Sequence, residues 1–168
     1  GVGDIKIKTT NSSELKVNVK KSVRISSENK AKELLDIVDI KIYKSKDKIF
    51  IKAVHIDDEK KDIWKLKSDK YPSSNLEINY YIEVPSNISK KILETGVGDV
   101  NLIYDKGVFH IETGVGNVYG KKIIPMKNSN FSTGNGNAEI EFADLKDSDV
   151  TNISCALGDI KVSIPKDA

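Results

Sequence analysis

The sequence predicts an all-β protein, a β-solenoid (β-helix) with rungs of roughly 20 residues and one short helix in its N-terminal half. Three observations carry this. A short motif returns four times: "TGVGDV" at 95–100, "TGVGNV" at 113–118, "TGNGNA" at 133–138 and the altered "CALGDI" at 155–160. Its second glycines, Gly98, Gly116, Gly136 and Gly158, lie 18, 20 and 22 residues apart. Apolar residues then alternate after each motif, as in Val100, Leu102 and Tyr104, in Ala138, Ile140 and Phe142, and in Ile160, Val162 and Ile164. Period two marks a strand with one buried face. A motif that returns at near-constant spacing marks a corner that must superimpose on the corner of the next rung.

The corner residues are Gly96, Gly98 and Asp99; Gly114, Gly116 and Asn117; Gly134, Gly136 and Asn137; and Gly158 and Asp159. Glycine admits positive φ and a close backbone approach, while Asp and Asn hydrogen-bond nearby backbone or ladder with their equivalents. A second strand fits before each next corner, at 107–113, 128–133 and 149–155, with turn signals at 105–107, 125–130 and 144–149. The "KKIIP" segment after Gly120 makes the second rung the irregular one.

The N-terminal half, residues 1–92, is also β-rich but less regular. "GVGDIKIKT" at 1–9 repeats the corner and the alternation, and 14–21 and 23–26 continue in strand period. Residues 27–37, with Ala31, Leu34 and Leu35 at helical spacing after Ser27, form the helix. Residues 38–54 read as a hairpin turning at "KSKD". The charged stretch 55–75 reads as a long connection, with Trp64 capping an open end of the core or partly exposed. "LEINYYIEVP" at 76–85 returns to strand and feeds the regular rungs at 93–165. Length and the lack of an internal linker predict a single domain over 1–168.

Composition narrows the function. Lys and Arg number 27 against 25 Asp and Glu, and Arg24 is the only arginine, so a nucleic-acid surface is not expected. Cys155 is the only cysteine, which excludes an internal disulfide and a thiolate metal site; an inert thiol in a strand is expected. No apolar run reaches the roughly 18 residues that cross a membrane as a helix. The chain begins at Gly1 without methionine, so a trimmed upstream signal or anchor is expected.

No catalytic residue and no metal or cofactor site is assigned. Calcium-binding β-rolls use a nine-residue repeat, whereas this one is near 20 with two carboxylates among its four Asx residues. Asp57 with Asp58, and Asp144 with Asp147, lie in polar turns. His55 and His110 are far apart, and His110 is expected outside the core or at its edge. A phosphate loop needs a helix after its glycines, and strands follow these. For binding, Trp64, Tyr81 and Tyr119 are the aromatic candidates, while Tyr104, in phase with Val100 and Leu102, is expected in the core or at its edge.

The opening "GVGDI", the central "YYIEVPSN" and the run of "TGVGDV", "TGVGNV" and "TGNGNA" corners resemble the bacterial adhesin family of cell-envelope domains, over about residues 1–165. The resemblance implies a right-handed β-helix with no enzymatic activity to carry over. Its implied place is extracytoplasmic, at the cell envelope or surface. Implied roles are a non-enzymatic adhesin or scaffold whose partner is an envelope protein or glycan; a glycan-binding or glycan-cleaving β-helix is the alternative. Self-association through open solenoid ends is a further expectation, because exposed strand edges tend to pair. The "ALG" corner at 156–158 and the charged stretch 55–75 depart from the family pattern.

Overall fold

The computed structural model describes residues 1–45, 48–146 and 150–166. In chain order the elements are β1 (Ile5–Thr10), β2 (Lys16–Arg24), α1 (Glu28–Ile37), β3 (Val38–Ser45), β4 (Lys48–His55), α2 (Ile63–Lys70), β5 (Asn75–Pro85), β6 (Lys90–Val97), β7 (Val100–Ile103), β8 (Lys106–Val115), β9 (Val118–Pro125), β10 (Ser129–Asn135), β11 (Ala138–Phe142), β12 (Thr151–Leu157) and β13 (Ile160–Ser163). They fall into two compact units, Gly1–Lys20 with Ile78–Ala168, and Lys21–Glu77.

The first unit is the β-solenoid. Strands β6, β8, β10 and β12 pair in parallel to form sheet A. Strands β5, β1, β7, β9, β11 and β13 pair in parallel, in that order, to form sheet B. Each regular rung is one strand of A, a corner and one strand of B. Inward residues of both sheets make the core: Phe109, Ile111 and Phe131 from A, and Val100, Leu102, Val118 and Ile140 from B. The Phe109 and Phe131 rings pack tilted at 34° to each other, with centroids 5.5 Å apart.

The corner explains why each motif residue is what it is. Gly3, Gly98, Gly116, Gly136 and Gly158 have φ of 135–151°. A Cβ at any of them would come within 2.0–2.2 Å of a carbonyl oxygen on the preceding rung. Gly96, Gly114 and Gly134 form a second close-packed column, where a Cβ would sit 2.6–2.9 Å from the neighbouring glycine carbonyl. The threonines seal the corner, with Thr113 Oγ1 donating to Gly98 O (2.8 Å) and Thr133 Oγ1 to Gly116 O (2.7 Å). Cys155 takes the same position in the altered motif, its Sγ 2.9 Å from Gly136 O. The thiol is thus a structural donor in a threonine column.

The Asx residues form one continuous ladder. Backbone N–H groups of Asp4, Asp99, Asn117, Asn137 and Asp159 donate to side-chain oxygens of Asn79, Asp4, Asp99, Asn117 and Asn137, at 2.7–2.8 Å. Each such bond contributes about 1 kcal/mol. The first ladder residue, Asn79, carries no corner signal in the sequence because Ile78, not glycine, precedes it. The order also departs from the chain: β1 lies between β5 and β7, separated from its ladder partners by 75 and 95 residues.

The opposite end of the rungs is less regular, as "KKIIP" suggests. Lys122 has φ of 55°, and the β11/β9 register shifts at Glu141/Phe142. Tyr104 has φ of 52°, which breaks the alternation after Leu102 and leaves its ring 52% exposed, not in the core as its phase suggests. The Lys122 ammonium sits 5.1 Å from the centroid of that ring. At this end Lys91 Nζ reaches Asp105 Oδ1 at 2.6 Å and Lys106 O at 3.0 Å, with the Lys91 and Asp105 side chains almost wholly buried.

Tyr80, on β5, is largely buried, and that burial pushes its phenol up to about 12 from a reference of 10.0. Its folded pKa lies above the unfolded one, so this contribution to stability is intact below pH 10.0 and declines as pH rises through about 12. Urea midpoints measured across that range should fall, and Tyr80→Phe should flatten the fall.

The second unit holds α1, α2 and the antiparallel pair β3–β4. Ser27 caps α1 by accepting from Lys30 N, while Lys21 Nζ donates to Leu35 O and Val38 O at its other end. Stretch 55–75 is not a plain connection. Asp62 Oδ1 accepts from the N–H groups of Trp64 (2.8 Å) and Lys65 (3.2 Å) and so starts α2, a second helix where the sequence predicts only one. Ile63 is its buried anchor. The tip of the "KSKD" turn, Lys46 and Asp47, lies outside the described residues.

Candidate functional site

Strand alternation and parallel register write the outer faces of the solenoid as columns of side chains. On sheet B one column reads Tyr81, Lys6, Asn101, Tyr119, Glu139 and Lys161, each residue beside the next on the neighbouring strand. Tyr81 is 47% exposed and Tyr119 partly so. They stand three strand spacings apart, about 14 Å. Between them lie an ammonium and an amide, a donor-rich strip with an aromatic at each end. Glu139 and Lys161 continue the column as an ion pair of 2.7 Å.

Two of the three aromatic candidates therefore share one face. The third, Trp64, sits partly buried at the start of α2 and belongs to the other unit.

On sheet A the outer face carries the columns Ile92, His110, Asn130 and Asn152, and Glu94, Glu112, Ser132 and Ser154. A shallow depression of about 360 Å³ opens there, lined by Lys90, Ile92, Glu94, His110, Glu112 and Asn130. Glu94 and Glu112 are not among the residues singled out from the sequence. Their signal is the doubled "ETG": a glutamate at the same offset from two stacked corners must have the other as its neighbour. His110 lies two residues before Glu112 on the same face and outside the core, as expected.

Neighbouring parallel strands lie about 4.8 Å apart, which brings the two glutamates close together. Glycoside cleavage uses such a carboxylate pair, but needs one of its carboxyls sheltered from water. Glu94 and Glu112 are both exposed. The pair presents two neighbouring carboxylates to solvent.

The other acidic residues serve turns. Asp58 Oδ1 accepts from Lys60 N, and His55 Nδ1 from Asp57 N. Asp144 accepts from Lys146 N, and that backbone hydrogen bond holds its carboxyl below the usual range. Its sequence neighbour Asp147 lies outside the described residues.

At the corners, the Oδ1 atoms of Asp4, Asp99, Asn117 and Asn137 already accept backbone N–H groups. Among the described residues no group of three or more His, Cys, Asp or Glu is placed to hold a metal ion. Among them, too, no helix is long and apolar enough to cross a membrane.

The arrangement defines a β-solenoid module with structural corners and two patterned outer faces. Comparison with protein-family models, with curated proteins and with solved structures returns no match.

Proposed function

We propose that this chain is a non-enzymatic recognition module of the cell envelope, of the adhesin type its corners resemble, and that it holds an extended glycan along the outer face of sheet B. Supporting this is the column Tyr81, Lys6, Asn101, Tyr119, which sets two tyrosine rings at the ends of a polar strip on a rigid parallel sheet. Tyrosine offers a flat apolar ring with a polar edge, the combination a sugar ring needs for stacking and hydrogen bonding. Lys6 and Asn101 would bond hydroxyl or acidic groups between the two stacking points. An extracytoplasmic location belongs to the same proposal.

The test is binding to an array of envelope glycans by the intact chain, by Tyr81→Ala/Tyr119→Ala and by Trp64→Ala. Loss of two stacking contacts of about 1 kcal/mol each should weaken binding more than about tenfold in the double variant. Trp64→Ala should bind as the parent does. Unchanged binding by the double variant would move the site to the depression on sheet A.

A further inference from the structure

The rung interfaces from Gly98 onward use the same parts. A small donor residue reaches the corner glycine carbonyl of the rung before it, and an Asx N–H reaches the previous Asx side chain. Inward apolar residues stack in columns. At the last rung those columns end in the open: Val100, Val118 and Ala138 are each 0% exposed, whereas the next member, Ile160, is 48% exposed. Likewise Ile140 is 1% exposed and its neighbour Val162 is 40%. The expectation that Ile160, Val162 and Ile164 are core residues fails for this reason: Ile160 and Val162 lie on a strand as expected, but among the described residues nothing stacks on it. Among the described residues, the Asp159 carboxylate and the Gly158 carbonyl have no hydrogen-bond donor.

We infer that the β12–β13 end is an acceptor for one more rung. The partner is an extended polypeptide carrying Thr-Gly-x-Gly followed by Asp or Asn and then alternating apolar residues, bound parallel to β12 and β13. Its threonine would donate to Gly158 O and its Asx N–H to the Asp159 carboxylate, and its apolar residues would cover Ile160 and Val162. Charge fits the same register: Lys161 pairs with Glu139 on one side, so an acidic residue two places after the partner's Asx would pair with it on the other. A second copy meeting this one tail to tail across a two-fold axis brings antiparallel strands. It covers the apolar residues but leaves the two corner acceptors unmatched, which is unfavourable for each that is buried.

The chain's own third rung supplies the probe, a synthetic peptide of residues 128–142, in which Glu139 stands at the acidic position. The control peptide carries Gly134→Ala, Gly136→Ala and Asn137→Ala. Titration of the intact chain should give saturable one-to-one binding of the first peptide and binding weaker by about tenfold or more for the control, since both glycine positions then clash with the receiving rung. Val162→Lys, which sets a charge on the exposed apolar floor, should abolish binding while leaving the circular dichroism spectrum unchanged. Absence of saturation, equal affinity for both peptides, or a concentration-dependent dimer that takes no peptide would each overturn the inference. The peptide pair decides the matter even where a variant fails to fold.

Discussion

Gly116→Ala should destabilise the solenoid by roughly 4 kcal/mol or more, among the largest effects a single methyl can have. The residue has φ of 142°, and the new Cβ would lie 2.1 Å from Gly98 O and 2.6 Å from Gly98 C. Both contacts are backbone, in the middle of a stack, so relief means separating two rungs that share a ladder of hydrogen bonds on either side. Gly114→Ala makes an instructive companion. Its Cβ would sit 2.6 Å from Gly96 O, without a positive φ to add strain, so its cost should be smaller. Urea unfolding of the two variants reads this directly. A Gly116→Ala midpoint at or above that of Gly114→Ala would show that the corner relaxes around a Cβ and that the close approach is not what demands glycine.

The second large effect is expected at the buried ion pair. Asp105→Ala leaves the Lys91 ammonium, only 3% exposed, facing Phe109 at 5.6 Å with the Lys106 carbonyl as its remaining oxygen partner. Stranding one partner of a buried pair costs about 3–5 kcal/mol, whereas replacing both by apolar residues of similar volume is often neutral. Asp105 Oδ2 is itself buried without a hydrogen bond among the described residues, which lowers the net value of the intact pair. Lys91→Met/Asp105→Leu should therefore recover most of what Asp105→Ala loses. Thermal unfolding of the three proteins checks this, and a double variant no better than Asp105→Ala would refute it.

The regular rungs are legible because the corner imposes a chemical demand at each return: glycine where a carbonyl approaches, an Asx where an amide needs an acceptor. β8, β10 and β12 fall where the second strands are expected. Legibility ends where geometry replaces chemistry. Nothing in "LEINYYI" announces a corner at Asn79, because Ile78 fills the glycine position with a buried apolar side chain. Tyr104 keeps the strand phase but lies one residue past the strand, where a positive φ turns it outwards. α2 is hidden in a polar stretch because it buries a single residue, Ile63, and starts on one aspartate. At the outer faces, the tyrosine column is only partly visible: alternation puts Tyr81 and Tyr119 outside, but their common column depends on register, which β1 alters by entering between β5 and β7. Glu94 and Glu112 can be paired from the repeat alone.

That entry of β1 between β5 and β7 bears on the order of assembly. A chain wound rung by rung from its first residue could not reach this topology, for the partners of β1 arrive only with residues 75–103. Until they emerge, β1 has no sheet to join, and closing such loops costs a few kcal/mol that grow only slowly with their length. The rungs from β6 onward pair with neighbours about 20 residues away and can form first. The N-terminal strand then acts as a late clasp, joining β5 to the finished stack, so the slowest step of folding should be its insertion.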